Sequence, residues 1–255
     1  MNLGIIGCGA IGTDVAEAAN NLDKISKIFL YDINLNSSKI LSKKIKKSKI
    51  SDIGEIIDYA DVVFEGASQQ AVHDYAEKIL EAGKDLILMS IGGLVEDAFR
   101  NKLERIALKN NCKIYIPSGA IFGIDGLFSA SIGGLDEVTL VTTKPPSSFG
   151  KKIEKRKVLF EGTARDAIKK YPKNINVAAS VSLAGIGFDD TMVEIVADPV
   201  ATRIHHKILA HGKFGRLRAE VENMPNPKNP KSSYLASLSA ISTLKKIINP
   251  IQVGS

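Results

Sequence analysis

Gly7, Gly9 and Gly12 are spaced Gly-x-Gly-x-x-Gly. An apolar run, Leu3-Gly4-Ile5-Ile6, ends just before them, and a helical pattern over about 10–22 begins just after. In that setting each glycine has a task. The first permits a tight turn, the second lets backbone approach a pyrophosphate, and the third allows close helix–strand packing. The exposed amides of this turn, those of Ala10 and Ile11 among them, then lie at the positive end of a helix, which holds phosphates. Asp32 closes the next apolar run, Lys27-Ile28-Phe29-Leu30-Tyr31. A carboxylate roughly 20 residues beyond such a turn accepts hydrogen bonds from ribose hydroxyls. It also repels a 2′-phosphate. The combination implies a nicotinamide dinucleotide, with NAD preferred. Ser37, Ser38 and Lys39 lie close enough in sequence to accommodate a phosphate, so NADP use is expected as well. Gly66-Ala67-Ser68-Gln69 and Ser90-Ile91-Gly92-Gly93 each follow a further strand. Ala67 and Ser68 are therefore candidate cofactor contacts, and ordinary strand-to-helix turns are the equal alternative.

The chain has four histidines, and three of them, His205, His206 and His211, fall within seven residues. Side chains alternate along a strand, so His205 and His206 face opposite sides and only one meets a cleft. Arg203 and Lys207 share the face of His205. A histidine among cations suits proton transfer on an anionic substrate, which favours His205 as the catalytic residue. Packing or solvent exposure is the alternative for any single imidazole. His73, on a helical stretch, reads as a surface residue.

The elements that position these groups change character at Pro117. Before it, short apolar strands alternate with amphipathic helices over about 36–47, 52–58, 69–82 and 95–110. That rhythm implies a parallel sheet covered on both faces. After it, the stretch 118–134 is rich in Gly, Ala and Ser, with no clear strand. Strands are expected at 138–143, 158–160, 191–197, about 202–210 and 215–222, with helices over 164–170 and 175–187. The expected fold is α/β: an N-terminal Rossmann domain (1–116), a smaller α+β substrate domain (117–231), and a C-terminal segment (232–255). The helix of that segment, over 232–248, packs back on the first domain.

Composition sets the class. The 255 residues are 44% hydrophobic and 24% charged, the balance of a globular protein with a real core. The net charge of +6 is mild. Its densest cluster, Lys39 to Lys49, reads as the solvated face of a helix over 36–47, without interleaved aromatics to stack bases. No nucleic-acid partner is expected. Cys8 and Cys112 fit neither a metal spacing nor a disulfide framework, which points to a reducing cytoplasm and no metal. No leader and no membrane-spanning run is apparent. A homodimer is the expected assembly on base rates.

Five segments together resemble the L-aspartate dehydrogenases. They are Ser118-Gly119-Ala120-Ile121-x-Gly123-x-Asp125-Gly126, Asn176-Val177-Ala178-Ala179, Leu183-Ala184-Gly185-x-Gly187, Ala197-Asp198-Pro199 and Asn229-Pro230-Lys231-Ser232-Ser233-Tyr234. The resemblance implies oxidation of L-aspartate with NAD or NADP to iminoaspartate, which hydrolyses to oxaloacetate and ammonia. It also implies that the imine can feed NAD biosynthesis. By the same resemblance Ala120 and Asn176 contact the cofactor, and the active-site histidine falls on His205. One departure is Arg203, where an Asn is expected two residues before that histidine. A dicarboxylate needs several donors. Ser232 and Ser233 at the start of the last helix offer hydroxyls and amides, and Lys231 or Arg203 adds charge. Their alternatives are a helix cap and solvated strand charges. The rival readings are an imine or homoserine reductase of the same architecture and a non-catalytic NAD(H) sensor.

Overall fold

A computed structural model describes residues 1–150, 152–171 and 176–254, with the side chain of Lys231 outside the described residues. The chain divides into two compact units, Met1–Pro117 with Ser237–Gln252, and Ser118–Ala236 with Val253–Ser255.

The first unit is built on six parallel strands: β1 (Asn2–Ile6), β2 (Lys27–Tyr31), β3 (Ser48–Ile50), β4 (Val62–Glu65), β5 (Asp85–Leu88) and β6 (Ile114–Tyr115). Their order is β3-β2-β1-β4-β5-β6. The chain moves outward from β1 to β3, then crosses back to place β4 on the other side of β1. That reversal opens a crevice at the carboxyl ends of β1 and β4, where ligands of such sheets bind. The core strands are apolar on both faces, with Leu3, Ile5, Phe64 and Ile87 fully buried, as a doubly covered sheet requires. The connecting helices are α1 (Ala10–Asn20), α2 (Leu35–Ser42), α3 (Ile53–Tyr59), α4 (Gln69–Glu81) and α5 (Asp97–Lys109). Local chemistry starts them. Asp52 accepts from the Glu55 amide at the head of α3, and Ser68 accepts from the Ala71 amide at the head of α4.

Two expectations here are corrected. The helix expected over 36–47 stops at Ser42, so most of the lysine cluster lies in turns. The backbone beyond it is taken by β3, which pairs Ser48 to Ile50 with Ile28 to Leu30. The lysines still find ordinary surface roles. Lys47 Nζ donates to the Leu22 carbonyl at 2.9 Å, and Lys49 pairs with Glu55.

The second unit carries α6 (Ile124–Gly133), β7 (Leu135–Lys144), β8 (Lys157–Thr163), α7 (Ala164–Lys170), α8 (Asn176–Ala184), β9 (Met192–Ala197), β10 (Ile204–Gly212), β11 (Gly215–Asn223), β12 (Pro225–Asn226) and β13 (Asn229–Ser233). Its five-stranded sheet has the order β11-β10-β7-β9-β8 and is antiparallel except where β7 meets β9. The last helix, α9 (Tyr234–Ile248), begins in this unit, and its residues from Ser237 onward belong to the first. Helix α6 arises in the Gly-rich stretch where no clear strand was expected. Gly123 enters it at φ +83°, and Leu127 and Ala130 bury its inner face. The helix expected over 175–187 is Asn176–Ala184, and Ile175 lies outside the described residues.

One sheet face is buried under helices. Val138, Leu140 and Thr142 of β7 face that side, with His206, Ile208 and Ala210 of β10 and Val193 and Ile195 of β9. Val177 and Ala178 of α8 lie over this face.

Candidate active site

The glycine turn between β1 and α1 is shaped by three different constraints. Gly7 has φ +96°, and a Cβ there would lie 2.8 Å from the Ala67 amide nitrogen. A Cβ on Gly12 would lie 1.9 Å from the Gly7 carbonyl oxygen. Gly9 instead has nothing within 4 Å of where its Cβ would be. The outer two glycines are forced by packing, and the middle one leaves open space for a ligand to approach backbone. Ala10 and Ile11 open α1, which has no side-chain cap and no acid in its first turn. Its positive end is thus left for an anion.

Asp32 sits at the carboxyl end of β2 beside this turn. Its Oδ2 accepts from the Cys8 amide and its Oδ1 from the Asn34 amide, each at 2.8 Å. A carboxylate offers about four lone-pair sites, so each oxygen keeps one for a ligand hydroxyl. Asp32 borders a cavity of about 130 Å³ with Gly7, Ala67, Ser68, Asp74 and Tyr75. The residues present therefore fit the pyrophosphate and ribose of a dinucleotide. Cys8, within the turn, is no nucleophile. Burial, helped by the Asp32 charge, pushes its thiol up to about 12.

Ala67 and Ser68 are exposed at the cavity, but their amides are committed. Both donate to Oε1 of Glu65, at 2.8 and 3.0 Å. Glu65 also accepts from the Ser90 hydroxyl on Oε1 and from the Ser90 amide on Oε2. A buried carboxylate thus ties together the loops that follow β4 and β5. Burial raises its pKa, and these four donors oppose the rise.

The histidines of β10 point to opposite faces. His205 lies on the outward face, 3.9 Å from Glu220, with Lys207 3.3 Å from the same carboxylate. His206 is buried on the helix-covered face, its Nδ1 3.0 Å from the Thr142 hydroxyl. A cavity of about 740 Å³ in this unit is lined by Lys144, Arg203, Ile204, Asn223, Ser232 and Ser233, among others. Lys144 alternates with Thr142 on β7, and Ile204 alternates with His206 on β10, so both share the sheet face of His206, although neither histidine is among the described residues that line the cavity. Of the two cations expected beside His205, Lys207 is paired with Glu220, and Arg203 lines the cavity. Burial, then the Lys144 charge, then His205 lower the His206 pKa from 6.5 to about 3, so its ring is neutral.

Arg203 is exposed just ahead of β10 and lines the cavity. Ser232 and Ser233 line it too, but from β13 rather than from the helix. The expected cap at Ser232 is thereby corrected. Its hydroxyl donates to the Asn229 carbonyl at 3.0 Å, and α9 starts only at Tyr234. The side chain of Lys231 lies outside the described residues. Ala120 is buried, and its carbonyl accepts from Asn223 Nδ2 at 2.9 Å. Asn176 is exposed at the start of α8, where its carbonyl accepts from the Ser180 hydroxyl.

Sequence reasoning passed over Lys144, Thr142 and Asn223. The strand expected at 138–143 stops one residue short of Lys144, which ends β7. A signal was present: Val138, Leu140, Thr142 and Lys144 recur at every second position, the period of one strand face.

Known proteins resemble this chain along its length. Residues 125–247 match the family described as aspartate dehydrogenase, C-terminal, and residues 7–117 match that of the homoserine dehydrogenase NAD binding domain. The chain is 44% identical to an L-aspartate dehydrogenase of Methanosarcina acetivorans and 45% identical to one of Methanosarcina barkeri. Both likenesses cover all of this chain and all of the relative. Among solved structures, aspartate dehydrogenase of Thermotoga maritima superposes with a TM-score of 0.82 at 30% identity. That likeness covers 100% of this chain and 99% of the other.

Proposed function

This chain belongs to the L-aspartate dehydrogenase family, and we propose that it oxidises L-aspartate to iminoaspartate, which water converts to oxaloacetate and ammonia. It is an oxidoreductase that takes a pyridine nucleotide. The observation that carries the substrate assignment is the full-length likeness, at 44–45% identity, to relatives of that name.

A bound nicotinamide supplies the hydride acceptor. The substrate gives up hydride from Cα to that acceptor and a proton from its neutral amine to water, leaving a C=N bond. Water then adds to that carbon. The water oxygen gives up both its protons as the ketone forms, and the nitrogen gains two, the second before the C–N bond breaks and ammonia leaves. We assign these transfers to His206. Its Nδ1 is tied to Thr142, which holds the ring and leaves Nε2 as the exchanging atom. Arg203, Ser232, Ser233 and Lys231 are proposed to hold the substrate carboxylates. What supports this is a cavity lining rich in hydroxyls, amides and cations.

Gly7, Gly9, Ala10, Ile11 and Gly12 are proposed to hold the pyrophosphate, with Ala67, Ser68, Ala120 and Asn176 as further cofactor contacts. NAD is the preferred cofactor and NADP a slower one. The support is two carboxylates, Asp32 and Asp74, at one cavity, with Ser38 buried and bonded to the Leu35 carbonyl. The imine can feed NAD biosynthesis. A reducing cytoplasm suits two free, buried cysteines, and a homodimer is the proposed assembly.

The experiment is a steady-state survey of L-aspartate and L-homoserine with NAD and NADP, read as reduced nucleotide. Aspartate-dependent reduction with NAD favoured is expected. Reduction driven by homoserine alone would overturn the substrate assignment.

A further inference from the structure

Lys144 ends β7, the middle strand of the five-stranded sheet, and is only 8% exposed. Among the described residues its Nζ has no carboxylate and no hydrogen-bond acceptor. Burial lowers its pKa, and no acid raises it in return. Taking an ammonium out of water costs several kcal/mol, and an unpaired one is a strong penalty within a fold. Sequences keep such a group where a ligand completes it.

The surroundings say what the ligand carries. Lys144 lines the cavity of about 740 Å³, whose lining includes Arg203 and, among the described residues, holds no Asp or Glu. Asn223 lines it as well. Its Nδ2 is satisfied by the Ala120 carbonyl, whereas its Oδ1 is buried without a donor among the described residues. One cavity therefore presents a cation lacking an anion and an acceptor lacking a donor. An amino acid with a free carboxylate supplies both, a carboxylate to the first and an amine N–H to the second.

We propose that Lys144 Nζ is the cation that binds a carboxylate of the substrate, with Asn223 Oδ1 accepting from its amine. This rests on the dicarboxylate reading of the same cavity. Lys144 stands beside His206, whose pKa its charge lowers. A carboxylate bound there cancels part of that charge, so the imidazole gains basicity as the substrate arrives.

The test uses the full chain with Lys144→Met, which removes the charge and keeps the volume, and Lys144→Arg, which keeps the charge. A charge-assisted hydrogen bond corresponds to about 10–100-fold in affinity. The Met variant is expected to raise the KM for L-aspartate by about that factor, with the KM for NAD unchanged. The Arg variant recovers part of the loss. The Met variant also melts no lower than the wild type, because an unpaired buried cation has been removed. Calorimetric titration of succinate into the NAD-loaded protein gives a readout independent of turnover. Its affinity falls by a similar factor in the Met variant. An unchanged succinate affinity in a folded Lys144→Met protein would overturn the proposal, as would a KM for NAD that rises in parallel. If the wild type binds succinate through Lys144 yet never oxidises L-aspartate, the reaction assignment fails and the Lys144 site stands.

Discussion

Acid should weaken this fold through His206. Its ring is 4% exposed, and burial and Lys144 hold its pKa at about 3 against an ordinary 6.5. The unfolded chain takes up a proton at this histidine as pH falls through 6.5, and the folded chain does not until about pH 3. The unfolded state therefore binds more protons over that window, and stability drops as pH falls. About pH 5 lies some one and a half units below the unfolded value. At about 1.36 kcal/mol per unit, the histidine alone costs about 2 kcal/mol there. That is a sizeable part of an ordinary domain's stability of about 5–15 kcal/mol. The perturbation is His206→Gln, whose amide retains a hydrogen bond to Thr142 and does not titrate. Urea unfolding at about pH 7.5 and pH 5, followed by circular dichroism because the chain has no Trp, gives the pH cost for each protein. The wild type should lose about 2 kcal/mol more than the variant. Equal losses would refute the buried, neutral state of His206.

Two further outcomes test the first unit. Glu65→Gln turns one acceptor into an amide facing backbone N–H groups and Ser90, so the protein should lose about 1–3 kcal/mol, read as a lower melting temperature. An unchanged melting temperature would show that the carboxylate does not tie these loops. Asp32→Ala should lower kcat/KM for NAD by about 10-fold and affect NADP less, because a ribose acceptor and a phosphate-repelling charge go together. Parallel losses for both cofactors would place Asp32 in a purely structural role, holding the Cys8 and Asn34 amides.

The first unit was largely legible from its residues because each signal is local. The Gly7 to Gly12 spacing and the apolar strands depend on neighbours a few residues away. β3 was missed because Ser48 to Ile50 is a strand only by virtue of its pairing with β2. In the second unit the alternation rule rightly separated His205 from His206. It could not say which face the helices cover, since that depends on α6 and α8 packing over β7 from distant parts of the chain. One of the cations that favoured His205, Lys207, is a partner of Glu220 on β11, a pairing across strands that no spacing reveals. Lys144 and Asn223 were hidden for the same reason: an unpaired group is defined by every neighbour it lacks.

The most direct test of the account is turnover of L-aspartate with NAD by His205→Ala and His206→Ala, each shown to be folded. Loss of general acid–base help lowers turnover by about 10²–10⁴. The account predicts that loss for His206→Ala, with His205→Ala within about threefold of the wild type by the same reasoning, since its ring faces Glu220. An inactive His205→Ala beside an active His206→Ala would contradict it.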